Sequence, residues 1–198
     1  MNKILCMYSG GLDSAGMLYQ LLTEEQYANF SIHVHHVSLL NFQNREKAEM
    51  VATQKTTEIM QRIKPFKVTY GVVDYMFLSK MLLDTDTCAF VAGQISLTDR
   101  SIKHIAVGRQ KDDLGNNTAR EESVVKRDAL LDSLFLYSKY PVPDMIYPVV
   151  HMTKKEIWDM LPADIRDASW SCRMPKYKGD TPTACGRCSP CMSLSQLN

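Results

Sequence analysis

Apolar and polar positions change period several times along this chain, and each change marks an element. Ile4 to Tyr8 is a short apolar run that stops at Gly10-Gly11, as a buried strand does. Ser14 to Leu22 then places Met17, Leu18, Leu21 and Leu22 at helical spacing. Ser31 to Leu40 alternates and predicts a second strand, Glu46 to Ile63 a long helix, and Phe66 to Val73 a third strand leading to Asp74. Met76 to Leu83 looks helical, Cys88 to Ile95 reads as the start of another helix, and Ile102 to Val107 is a fourth strand entering Gly108. Glu121 to Tyr140 predicts the second long helix. Asp144 to Val150, punctuated by Pro141, Pro143 and Pro148, carries a short strand, and Thr153-Lys154-Lys155-Glu156 opens a further helix with a capping box.

Strand and helix therefore alternate from residue 3 to about 160. That order predicts an α/β fold, a doubly wound and mostly parallel sheet with helices on both faces and ligands at the carboxyl ends of its strands. From Ser169 the periodicity disappears and Gly, Pro, Cys and Ser dominate. The chain thus divides into a nucleotide-binding domain over residues 1–168 and a small lobe over 169–198, too polar to hold together by core burial alone.

Composition narrows the function classes. With 45% hydrophobic and 23% charged residues, 198 residues make a globular protein with a real core. The formal net charge of +1 gives no warrant for direct nucleic-acid binding, and no apolar run is long enough to span a bilayer. The apolar stretch after Met1 is too short for a signal peptide, so a cytoplasmic location is expected. Cys6 and Cys88 stand alone in apolar stretches, whereas the other four cysteines lie between positions 172 and 191. Without a secretory signal, that cluster reads as metal ligands and not as a disulfide framework.

Two segments carry chemistry. Ser9-Gly10-Gly11-Leu12-Asp13-Ser14 lies between the first strand and the first helix. Its glycines let the backbone turn tightly, Ser9 and Ser14 offer hydroxyl donors, and the helix that follows presents its positive end to an anion. Asp13 is out of place in a pure anion cradle and is expected to hold the loop or a magnesium ion. Gly-Gly turns capped by Asp or Ser are common, so the loop becomes specific only as a whole hexapeptide. No Gly-Lys-Ser/Thr follows, so it is not a Walker loop. The second segment is Cys172 with Cys185-Gly186-Arg187-Cys188-Ser189-Pro190-Cys191. Two consecutive Cys-x-x-Cys steps bring three thiolates to one ion and Cys172 closes the tetrahedron, the pattern of a structural Zn²⁺ site with no open position.

The hexapeptide, with Tyr8 before it, resembles the pyrophosphate loop of the N-type ATP pyrophosphatases, which adenylate a carbonyl oxygen. Together with Trp170-Ser171-Cys172 and the three later cysteines, it is similar to the 7-cyano-7-deazaguanine synthases. Further likenesses run along the chain: Val34-His35 with Ser38 and Arg45, Phe90-Val91-Ala92-Gly93-Gln94, Gly108 with Asp113, and Tyr147-Pro148 with Thr153-Lys154-x-Glu156-Ile157. Two segments depart from that family. Gly115-Asn116-Asn117-Thr118-Ala119-Arg120 stands where the family has its substrate-reading segment, and Leu40-Asn41-Phe42-Gln43 replaces another motif.

The resemblance implies an adenine nucleotide α-hydrolase-like, Rossmann-like fold, with ATP as co-substrate, Mg²⁺ and structural Zn²⁺. It implies 7-carboxy-7-deazaguanine and ammonia as substrates, the nitrile as product, no membrane partner, and room for a homodimer. Tyr8, Ser9, Gly10, Gly11, Leu12, Asp13, Ser14 and Gly108 would hold the nucleotide. Asp13, Ser14, Lys155 and Arg120 would serve catalysis, with Lys154 and Arg109 as further candidate counter-charges and Arg120 directed to the substrate carboxylate. His33, His35 and His36 lie on a strand and are expected to pack rather than react. The alternatives are a relative that stops at the amide, one that adenylates another small or tRNA-borne substrate (a thiolase or lysidine synthase), and a zinc-stapled nucleotide sensor without turnover.

Overall fold

The chain is described by a computed structural model covering residues 1–78, 84–111 and 118–197. Five strands form one parallel sheet in the order β3-β2-β1-β4-β5: β1 Lys3–Met7, β2 Ser31–Leu40, β3 Lys67–Asp74, β4 Ile102–Val107 and β5 Asp144–Ile146. The alternating pattern does its expected work on β1. Ile4, Cys6 and Tyr8 face a core built with α1 (Leu12–Thr23), α2 (Glu46–Met60), α5 (Lys154–Met160) and α6 (Ala163–Ala168). Leu5 and Met7 face the other core, under α3 (Asp84–Thr98) and α4 (Thr118–Phe135). Both faces of the central strand are therefore dry, as a parallel sheet requires. No helix among the described residues is long and apolar enough to cross a membrane.

The boundaries of β2 and β4 follow the sequence pattern, and the Thr153–Glu156 capping box at α5 is complete. Three expected helices differ. Met76 to Leu78 form a turn in which Asp74 accepts a bond from the Met76 N–H at 2.8 Å, a local alternative to helix; residues 79–83 lie outside the described part. The helix after them starts at Asp84, four residues before Cys88. α4 ends at Phe135, because the following Leu136 and Tyr137 point into solvent and nothing rewards another turn.

The C-terminal segment contains more order than its polarity suggests. A hairpin pairs β6 (Lys176–Lys178) with β7 (Thr181–Thr183), and α7 spans Ser189–Ser195. Yet Cys172 is its single buried residue among those described. Leu194 and Leu197 lean on the main core from outside.

The three histidines of β2 are packed, as expected. Thr69 Oγ1 lies 2.8 Å from both His33 Nε2 and His35 Nδ1, and His36 Nδ1 meets the Tyr8 carbonyl at 2.9 Å. Burial holds all three below the usual imidazole range, His35 at about 4. Such groups stay neutral in the folded chain while the unfolded chain takes up protons. Their contribution is fully present above about pH 6.5 and is lost as pH falls toward 4. Glu49, raised by burial to about 7, acts in the opposite sense between its ordinary value and 7, but it is one group against three. Urea midpoints should therefore fall between pH 7.5 and pH 5, and His35→Asn should flatten that fall; an unchanged profile in the variant would contradict it.

Candidate functional site

The hexapeptide loop leaves the carboxyl end of β1 and enters α1, as anticipated, and its geometry depends on Gly10. That residue has φ +76°, and a Cβ there would stand 2.8–2.9 Å from Thr53 Oγ1, the Glu49 carbonyl and the Thr53 nitrogen of α2. The loop is thus wedged against α2 in a conformation other residues adopt only at a cost. Inside the loop, Ser14 donates to the Gly11 carbonyl at 2.8 Å and lies 3.1 Å from the Ser9 hydroxyl. Gly11 is the N-cap of α1 and carries no side-chain cap, so this 12-residue helix starts in the open form that suits an anion.

Gly108 ends β4 beside this turn. A Cβ on it would come within 2.8 Å of the Asp13 carbonyl and of the Ser14 backbone, so only glycine lets the strand end and the helix start touch. Arg109, next in the chain, is buried. Tyr8 and Leu12 belong to the core instead. Tyr8 donates its hydroxyl to Thr56 at 2.7 Å, while its backbone pairs with His35 and His36, so it supports the loop from beneath. The Leu12 side chain is likewise buried.

The two candidate lysines part company. Lys155 pairs with Asp159 at 2.8 Å on the exposed side of α5. Lys154 reaches the loop, its Nζ 3.3 Å from Asp13 Oδ2, and is only 16% exposed. Helical spacing explains the difference: Lys154 shares its side of α5 with Ile157 and Leu161, three and seven residues on, both buried. Asp113, residues 115–117 and the Arg120 side chain lie outside the described part, and with them most of one of the two segments that depart from the resemblance.

The four clustered cysteines do meet. Their sulfurs all lie within 4.8 Å of one another, with Cys188–Cys191 at 3.4 Å, Cys172–Cys188 at 3.9 Å and Cys185–Cys191 at 4.0 Å. They can hold a metal ion. A tetrahedron with metal–sulfur bonds of about 2.3 Å has edges of roughly 3.8 Å, close to these separations. An iron–sulfur cube would spread the four ligands wider, because each binds a different iron. The backbone favours thiolate at Cys185, whose sulfur accepts the Cys188 N–H at 3.4 Å and the Arg187 N–H and is held near 6. Gly186 makes the knuckle possible with φ +71°.

The position of this lobe on the loop was not legible. The Trp170 N–H donates to the Gly10 carbonyl at 2.8 Å, and the Trp170 carbonyl lies 3.2 Å from where a Gly11 Cβ would be. The Trp170 indole donates to the Cys172 carbonyl at 2.9 Å. Farther out, Tyr177 donates to the Asn44 carbonyl at 2.8 Å, pinning the hairpin to the loop after β2. Cysteine cluster and anion loop are one continuous construction.

Gly10→Ala should cost about 1–2 kcal/mol for the left-handed backbone and about 1–3 more for overpacking against α2, read as a fall in denaturation free energy. Loss under 1 kcal/mol would show that the loop yields easily.

No family model matches the chain, and no curated protein is similar to it by sequence. Among solved structures it is similar to the U34-tRNA thiolase NcsA from Methanococcus maripaludis, determined with its [4Fe-4S] cluster, at a TM-score of 0.52 and 16% identity. The match covers 99% of this chain and 64% of the thiolase, so the chain spans about two thirds of that protein's length. Likeness at this identity is likeness of fold, and the two share the α/β architecture with its parallel sheet.

Proposed function

We propose that this chain is an ATP-dependent adenylating enzyme that splits ATP between its α and β phosphates to activate a carbonyl oxygen. The observation that carries the reading is the uncapped start of α1 at the carboxyl end of the central strand, braced on both sides and faced by the Asp13–Lys154 pair. Backbone amides and a helix N-terminus suit a pyrophosphate group, and Lys154 supplies a counter-charge as it departs. Asp13 suits a Mg²⁺ ion held against the phosphates, which would neutralise charge there.

For the substrate we favour 7-carboxy-7-deazaguanine with ammonia, on the motifs at both ends of the chain. The carboxylate oxygen attacks the α phosphorus and pyrophosphate leaves. Ammonia then displaces AMP to give the amide. Attack of the amide oxygen on a second ATP, followed by loss of AMP and the two amide protons, leaves the nitrile. In this reading Zn²⁺ at the four cysteines takes no part in the reaction, since four sulfurs close its coordination shell. A second reading, a tRNA-borne substrate, draws support from the thiolase likeness. The net charge of +1 and the single-ion sulfur spacing speak for the small molecule. A cytoplasmic location and a boundary near residue 168 belong to the same proposal.

The deciding experiment supplies the acid, ATP, Mg²⁺ and ammonium, and resolves acid, amide and nitrile by mass. Nitrile with two AMP and two pyrophosphate per turnover is expected; accumulated amide would make this an amide-forming relative, and no consumption of the acid would defeat the substrate assignment. In the same assay Lys154→Ala should lower turnover roughly 10²-fold, the scale of removing one charge stabiliser. Lys155→Ala should stay within about twofold, because an exposed pair contributes little. Equal loss in both would refute the difference between them. Metal analysis should return one zinc per chain, and Cys188→Ala should lose it together with thermal stability.

A further inference from the structure

Beneath the joint of lobe and body lies a network of charges that the proposed reaction does not use. Arg45, 6% exposed at the start of α2, bonds Glu49 at 3.1 Å and also Asp84, the first residue of α3. The same Asp84 oxygen lies 3.6 Å from Arg173, which directly follows the metal ligand Cys172. One carboxylate thus joins an arginine of the body to an arginine of the lobe.

Traced onward, these contacts close on themselves. Arg45 bonds Glu49, and the Glu49 carbonyl is one of the groups against which Gly10 is wedged. The Gly10 carbonyl accepts from Trp170, whose indole bonds the Cys172 carbonyl, and Arg173 returns to Asp84. The ring therefore passes once through the anion loop and once through the metal site. With so little buried surface of its own, the lobe has few other means of keeping register on the body.

We propose that Asp84 is a positioning residue that couples occupancy of the anion loop to retention of the metal, by locking the Cys172–Arg173 backbone and the Gly10 turn into one unit. Coupling between two sites is reciprocal in binding free energy: if the metal strengthens anion binding at the Gly10 turn, the anion strengthens metal binding by the same amount, a gain expected mainly as slower release. A residue that merely stabilises the fold would speed or slow metal loss equally with and without anion. The inference rests on the adenylation reading in taking the loop as a pyrophosphate site.

The test follows zinc release from the full, zinc-loaded chain into a chromogenic chelator, with and without saturating Mg²⁺-pyrophosphate, whose binding is measured separately by calorimetry. In the unaltered chain pyrophosphate should slow release roughly tenfold, within the usual range of coupling between sites. Asp84→Asn should abolish the slowing while pyrophosphate still binds, more weakly, and Asp84→Glu should restore part of it. Arg173→Ala, at a half-exposed position that folding tolerates, should abolish it too and serves if Asp84→Asn fails to fold. Pyrophosphate that binds without slowing release, or slowing that survives in the variants, overturns the coupling. No binding of pyrophosphate to the unaltered chain overturns the adenylation reading and this inference with it.

Discussion

Four sulfur atoms within 4.8 Å of one another cannot all be ionised without a cation among them. Like charges at that spacing repel, and only a metal converts the repulsion into a bond network worth many kcal/mol. The C-terminal lobe has nothing comparable: a three-residue hairpin pair, a seven-residue helix and one buried residue. With a metal ion among them, the four sulfurs would set its shape. Because Cys172 stands two residues after Trp170, whatever fixes the sulfurs also fixes the amide that holds Gly10. The most delicate backbone conformation in the site is held in part from a lobe that has no core.

The sheet order makes that contact possible. With β1 in the centre, the loops after β1, β2 and β4 open on the same edge, where an open parallel sheet offers its ligand crevice. Gly108 closes one side by letting β4 touch the start of α1, and α2 supplies the other wall through Glu49 and Thr53. The C-terminal segment then crosses this edge, bonding Gly10 at one point and Asn44 at another. Two walls come from the sheet and its helices, and a third from the lobe.

Much of this could be read from local pattern. Strands buried on both faces, the capping box at Thr153 and the doubled Cys-x-x-Cys step are signals written over a few residues, and the fold returned them nearly unchanged. Lys154 was legible too, had the helical period been carried through to Ile157 and Leu161. Tyr8 misleads because its place in the loop motif suggests a ligand contact while its alternation with Ile4 and Cys6 turns it into the core. Asp84, Arg173 and the seat of Trp170 on Gly10 gave no local sign at all. Each depends on segments far apart in sequence arriving at one place, and only the topology brings them there.

The same distinction separates the parts of this edge of the sheet that can vary from those that cannot. The loop after β1 is made of backbone amides, a left-handed glycine and a strand end in van der Waals contact, so a Cβ added at Gly10 or Gly108 meets something at 2.8–2.9 Å. Such a site resists substitution whatever the substrate. The loop after β2 is built differently. Asn41 holds the Gln43 amide at 2.9 Å, Asn44 turns the chain at φ 50°, and Phe42 projects outward at 61% exposure. Its frame is supplied by its own polar side chains and by Tyr177 of the lobe, which leaves Phe42 free to vary without cost to the fold. Leu40 to Gln43 is one of the two segments that depart from the deazaguanine synthase pattern. Variation is thus cheapest here, on an outward-facing residue beside a turn that tolerates no added side chain.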